Sequence, residues 1–160
     1  MQAASMDEKL TIGRKDQADF PSLGLENIDI KMDTGAYTSS IHCHHIEKRE
    51  LDGKQVVAFQ LLDPTHENFQ EQEFVTDKFR QKTVKNSFGV SERRFVIFTD
   101  IKLFGKTFPI QLSLCRRGEM RFPVLLGRRF LMGKFIVDTA LYNLSKKKKK
   151  VSDTQHYACQ

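Results

Sequence analysis

Residues 31–36 read Lys31-Met32-Asp33-Thr34-Gly35-Ala36, and they close a run in which Ile28, Ile30 and Met32 alternate with polar residues. Period-two alternation marks a half-buried strand, so the Asp-Thr-Gly stands where a strand ends. A strand end is a rigid base from which a carboxylate can be aimed at a water. Gly35 lets the backbone turn sharply and approach a partner closely. The Thr34 hydroxyl can bond neighbouring backbone and lock the turn. Alone, the tripeptide reads more readily as an ordinary strand-ending turn, because Asp and Gly favour turns.

The surroundings favour the chemical reading. The flank is apolar before Asp33 and small or polar after it, through Ala36, Thr38, Ser39 and Ser40. Far along the chain, Pro123-Val124-Leu125-Leu126-Gly127-Arg128-Arg129-Phe130-Leu131 reads as an apolar strand ending in Gly, then one short helix with Phe130 and Leu131 turned inward. Phe135-Ile136-Val137-Asp138 follows as a further strand.

The rest of the chain predicts a β protein. Val56–Leu62 is apolar and β-branched, and Asp52-Gly53 before it is a strong hairpin signal. Residues 93–99 alternate, Leu103-Phe104-Gly105-Lys106 reads as a second turn, and Phe108, Ile110, Leu112 and Leu114 alternate with polar partners. Short strands separated by turns every ten or so residues indicate an all-β barrel or sandwich. Residues 67–78 are polar and acidic and read as a loop or edge segment. Thirteen Phe and no Trp make Phe the expected large core filler.

Composition sets outer bounds. The 160 residues suit one domain. No long apolar run predicts a membrane span. Residues 1–10 lack the apolar core of a signal peptide, and Cys43, Cys115 and Cys159 form no CxxC pair or even framework. A cytoplasmic protein with reduced thiols is the expectation. The net charge of +6 owes much to Lys146–Lys150, read as a solvated tail rather than a nucleic-acid contact, since no aromatic residues interleave with it. The expected organisation is a flexible segment 1–10, a domain 11–144 and a basic, disordered tail 145–160.

At this point the sequence resembles a known family. The order Asp-Thr-Gly-Ala, a hairpin region, then an apolar-apolar-Gly-Arg run and a helix is similar to the retropepsins. It is closer still to a bacterial family labelled ATP-dependent zinc proteases, retropepsin-like, linked to RimK-type glutamate ligases. The residues that carry the likeness are Thr11-Ile12-Gly13-Arg14, Lys31 to Gly35 with Thr38-Ser39, His42, Thr83-Val84-Lys85-Asn86-Ser87, Glu92-Arg93-Arg94, Met120 with Phe122, Leu125-Leu126-Gly127-Arg128 and Val137-Asp138.

The resemblance implies a closed acid-protease barrel with one short helix after the Leu-Leu-Gly-Arg strand. It also implies an aspartic peptidase in which two Asp carboxylates about 3 Å apart share a proton and activate water. Asp33, Thr34 and Gly35 are then the catalytic turn, with Ala36, Thr38, His42, Asn86, Ser87, Glu92, Arg94 and Arg128 as supporting or substrate-binding residues. One Asp-Thr-Gly per chain requires a homodimer, with Asp33 of each copy at a two-fold axis. Asp138-Thr139-Ala140 lacks the Gly and reads as structural. The flap is expected between Lys82 and Phe98, with its tip near Asn86-Ser87-Phe88-Gly89. Retropepsins commonly carry Asp after the Ala; Tyr37 stands there, which leaves the partner of Arg128 open.

The family link implies a protein or peptide substrate with glutamate-rich tails and a functional tie to an ATP-grasp glutamate ligase. Arg14, Arg93, Arg94 and Arg128 are candidates to line a cleft for acidic chains, though a solvated, charge-paired strand edge explains Arg14, Glu92, Arg93 and Arg94 as well. No cofactor is expected: the chain has no GxxxxGK or GxGxxG phosphate loop. His42-Cys43-His44-His45 invites a metal reading, but its spacing matches no zinc template, and surface or turn histidines are the plainer account. Two rivals to the peptidase remain: a non-catalytic binding module of the same fold, and a metallohydrolase built on His42–His45.

Overall fold

The computed structural model describes residues 8–62, 66, 69, 71–85, 88–116 and 121–158. Among them lie eleven strands: β1 (Leu10–Ile12), β2 (Lys15–Phe20), β3 (Leu25–Met32), β4 (Ser39–Leu51), β5 (Lys54–Leu61), β6 (Glu73–Thr76), β7 (Phe79–Lys85), β8 (Ser91–Leu103), β9 (Lys106–Cys115), β10 (Val124–Leu126) and β11 (Phe135–Val137). Two α-helices join them, α1 (Arg128–Leu131) and α2 (Leu144–Ala158).

Strands form over the alternating runs, and β1 and β2 add to them. In β3, Ile28, Ile30 and Met32 are buried while Asp29 and Lys31 are exposed. The β4–β5 and β8–β9 hairpins turn on two residues each, and both central residues have positive φ: 52° and 79° at Asp52 and Gly53, 53° and 72° at Phe104 and Gly105. That left-handed pair matches the twist of the flanking strands. Residues 73–76 form the edge strand β6, paired with β5.

Pairing closes a ring in the order β10-β3-β2-β8-β9-β4, with β4 returning to β10. β10 runs parallel to β3 and antiparallel to β4, and so sits between them. β5 and β6 extend one flank, β7 pairs with β8, and β1 pairs separately with β11. This is the expected retropepsin-like, all-β architecture. Closure removes free sheet edges along the ring and leaves small barrels filled by side chains.

Ile28, Ile30, Ile41, Ile101, Leu112, Val124 and Leu126 are fully buried. Aliphatic residues, not Phe, make up most of the core; Phe20, Phe59, Phe130 and Phe135 are its buried phenylalanines, and Phe88 and Phe98 are exposed. Phe104, Phe108, Phe130 and Phe135 instead meet edge to face or tilted, with centroids 5.7–6.2 Å apart, a favourable geometry for aromatic pairs.

The lysine run is helical, not an irregular tail. Asp16 of β2 is buried and accepts the Ser145 and Lys146 backbone N–H groups at 2.8 and 3.0 Å. Those donors have no partner inside the helix, and a carboxylate there also meets the positive end of the helix dipole. The Ser145 Oγ accepts the Phe104 N–H at 2.9 Å, and Lys149 reaches Asp19 at 3.0 Å and Asn27 at 2.9 Å. Among the described residues no helix is long and apolar enough to cross a membrane.

Candidate active site

Asp33 is the first residue after β3. β10 runs beside it, with Leu126 opposite Met32, and the Asp33 N–H donates to the Leu126 carbonyl at 2.8 Å. The turn then folds on itself. The Ala36 N–H donates to the Asp33 carbonyl at 3.2 Å, and the Gly35 N–H donates to Asp33 Oδ1 at 3.2 Å. The carboxylate is therefore aimed by its own turn.

Gly127-Arg128 braces that turn from beneath. The Gly127 N–H donates to Ser39 Oγ at 3.0 Å. A Cβ on Gly127 would lie 2.7 Å from the Tyr37 carbonyl oxygen and 2.8 Å from the Thr38 carbonyl carbon, so only glycine fits. The Arg128 and Arg129 N–H groups donate to the Ala36 and Tyr37 carbonyls at 2.8 and 3.0 Å. The Arg128 guanidinium donates to the Thr34 carbonyl at 2.9 Å and lies 6.0 Å from the Tyr37 ring centroid. That answers the question Tyr37 raises: Arg128 holds backbone and an aromatic ring where a carboxylate was expected.

Asp33 borders a cavity of about 420 Å³, whose walls include Tyr37, Thr38, Lys82, Lys85 and Arg94. Lys82 Nζ donates to Thr38 Oγ1 at 2.9 Å and lies 5.8 Å from the Tyr37 ring centroid. Among the described residues, three cations thus share the cavity lining with one carboxylate. Such a groove favours an anionic ligand. Lys82, Lys85 and Arg94 belong to β7 and β8, so the hairpin expected as a flap borders the groove; Asn86 and Ser87 at its tip lie outside the described residues.

The remaining expected residues divide. Ala36 and Thr38 line the groove. Glu92 is exposed and lies 3.4 Å from Arg94. Arg93 is exposed. Arg14 is elsewhere: it lies over the Tyr142 ring at 4.7 Å. His42 is buried in β4, where its N–H donates to the Pro123 carbonyl at 2.8 Å and its carbonyl accepts the Leu62 N–H at 2.9 Å; it does not border the groove.

His45 has φ of 51° beside a register shift in β4, which breaks the alternation of the histidine run. Among the described residues no three His, Cys, Asp or Glu side chains gather as a metal site. Cys43 is buried, and desolvation pushes its thiol well above the ordinary range.

Sequence reasoning missed a repeated turn. Asp138 follows β11 as Asp33 follows β3. Its N–H donates to the Ile12 carbonyl at 2.9 Å, and its Oδ1 accepts the Ala140 N–H at 2.9 Å. Gly13-Arg14 stands where Gly127-Arg128 stands: the Arg14 N–H donates to the Leu141 carbonyl at 2.9 Å, and its guanidinium reaches the Thr139 carbonyl at 3.4 Å. Each turn carries a tyrosine four residues after its Asp, Tyr37 and Tyr142, under the matching Arg. The signal was present as Gly13-Arg14 beside Gly127-Arg128 and Asp138-Thr139 beside Asp33-Thr34, and it became legible only with the parallel strand pairing. Lys82 and Lys85 were also missed as groove residues.

The RimB-like family, described as retropepsin-like aspartic endopeptidase RimB, matches residues 11–148. The chain belongs to that family. Among curated relatives, a probable alpha-L-glutamate ligase of Desulfotalea psychrophila is 40% identical over 136 residues, covering 83% of this chain and 29% of the relative. A probable alpha-L-glutamate ligase of Shewanella pealeana is 33% identical over 132 residues, covering 82% and 29%. The chain therefore spans less than a third of the length of these ligase-named relatives. A crystal structure of a protein with unknown function from Legionella pneumophila is similar at a TM-score of 0.61 and 26% identity, covering 85% of this chain and 98% of that one. The RimB-like match runs into α2, in keeping with a helix docked on the barrel.

Proposed function

We propose that this chain is an aspartic peptidase in which Asp33 works with Asp33 of a second copy. The observation that carries the reading is the braced turn: Gly35 N–H on Asp33 Oδ1, Leu126 carbonyl on Asp33 N–H, and Gly127-Arg128 packed beneath. Two carboxylates about 3 Å apart cannot both ionise, so one is acid while the other is base. The base takes a proton from water, and the water oxygen attacks the peptide carbonyl. The acid donates its proton to the carbonyl oxygen. Collapse of the tetrahedral intermediate breaks the C–N bond: the carboxyl protonated by water gives its proton to the leaving amine, the other carboxylate takes back a hydroxyl proton as the carbonyl re-forms, and no covalent enzyme intermediate forms.

The substrate class is an acidic peptide or protein tail, supported by Lys82, Lys85 and Arg94 around the groove. The ligase names of relatives that contain a matching segment support a functional tie to a glutamate ligase. Asp33→Asn tests the reading. The variant is expected to keep its oligomeric state and lose about 10²–10⁴-fold or more in peptide cleavage. Wild type that cleaves no acidic peptide from acid to neutral pH, or an Asp33→Asn variant that cleaves as well as wild type, contradicts it and leaves a binding module.

A further inference from the structure

We propose that Lys82 and Arg94 form a carboxylate-reading pair on the β7–β8 hairpin, which selects peptides carrying a carboxylate beside the bond presented to Asp33. The inference rests on Asp33 as the hydrolytic centre and assigns the residues that read the substrate.

Lys82 and Arg94 are direct cross-strand partners. Opposed residues in an antiparallel pair share one face with Cβ atoms about 4.5–5.5 Å apart, and like charges there destabilise the sheet. Both side chains are partly buried and border the cavity that contains Asp33. Among the described residues neither has a strong acidic partner. Lys82 Nζ is held by the neutral Thr38 hydroxyl. Among the described residues Arg94 meets only the exposed Glu92, at 3.4 Å through one terminal nitrogen.

The Arg94 Nε is buried and has no hydrogen-bond partner among the described residues. A buried donor left unpaired is costly, and a guanidinium edge matches a carboxylate as a two-pronged fork. Repulsion between the opposed cations is relieved by an anion lodged between them, and a turn of the Arg94 side chain toward the cavity brings the unpaired Nε to the same anion. Asp33 does not serve as that anion: among the described residues Lys82 bonds Thr38 and Arg94 meets Glu92, and neither cation pairs with the Asp33 carboxylate. The incoming carboxylate belongs to a Glu or Asp side chain or to a chain terminus; both present the same fork.

Binding to the full-length Asp33→Asn protein separates recognition from cleavage. Fluorescent Glu peptides, their Gln isosteres and C-terminally amidated forms are titrated against Asp33→Asn alone and combined with Lys82→Met or Arg94→Met. Each Met variant is expected to weaken Glu-peptide binding at least about tenfold, to leave Gln-peptide binding unchanged, and to melt at or above the temperature of its parent. Loss of binding in the Gln isostere assigns a side-chain carboxylate; loss on amidation assigns the terminal one.

Equal affinity of the Arg94→Met protein and its parent for the Glu peptide overturns the inference, as does equal weakening for Glu and Gln. The two readings fail separately. Wild type that cleaves Glu and Gln peptides equally keeps the peptidase and sinks the carboxylate pair. Binding that depends on both cations in a wild type that cleaves nothing keeps the pair and sinks the peptidase.

Discussion

Gly127 and Asp33 were visible in the sequence for different reasons. Asp33 announced itself by the residues around it, a strand before and a tight turn after. Gly127 matters through an absence: it has no Cβ to meet the Tyr37 and Thr38 backbone. Gly127→Ala is expected to cost about 1–3 kcal/mol by overpacking and to shift the Asp33 turn, so that both the denaturation midpoint and cleavage fall. Gly13→Ala meets Tyr142 N at 2.7 Å and the Leu141 carbonyl closer still. Chemical denaturation should show a similar or larger loss there, whereas cleavage per folded molecule should hold, because the proposed hydrolytic turn is that of Asp33 and not that of Asp138. Equal stability of wild type and Gly127→Ala contradicts the bracing role. Lys82 and Arg94 were not legible as a pair, since each is an ordinary charged strand residue until the register sets one opposite the other.

Among elements, the hairpins were legible and α2 was not. Asp52-Gly53 and Phe104-Gly105 carry turn chemistry within a few residues. Five consecutive lysines cover every side of a helix and leave no apolar stripe, so local sequence reads as tail. What fixes the helix is distant: Asp16 and Asp19, both on β2, and Asn27. Asp16→Ala leaves the Ser145 and Lys146 N–H groups without their acceptor and is expected to destabilise the fold by about 1.5–3 kcal/mol, with loss of helical circular dichroism. An Asp16→Ala protein with unchanged ellipticity and melting temperature would show that the helix stands without its anchor. Cys43, buried with its thiol held protonated, is expected to resist alkylation at neutral pH until the barrel unfolds; mass spectrometry of native and denatured protein checks this.

At the scale of the whole molecule, the class of fold was legible and its closure was not. Alternation and turn spacing gave many short strands, and the family likeness supplied the barrel. The ring depends on β10, three residues long, entering between β3 and β4; such a pairing spans most of the chain and leaves no local mark. That insertion lays Leu126-Gly127-Arg128 under Asp33. The groove above is a whole-molecule feature as well, since the turn after β3, the strands β4, β9 and β10 and the β7–β8 hairpin each contribute to its lining. With three cations bordering it, peptide binding is expected to weaken as ionic strength rises, most for Glu-rich peptides; titration at low and high salt measures this, and salt-independent binding contradicts a charge-reading groove.

Mixed assembly tests the central claim most directly. Wild-type and Asp33→Asn chains are refolded together in known ratios, and cleavage per total chain is measured against the wild-type fraction. A water activated between two Asp33 carboxylates predicts activity that falls as the square of that fraction, because every mixed pair is dead. Activity that falls in simple proportion, with each wild-type chain working whatever its neighbour, contradicts a shared pair.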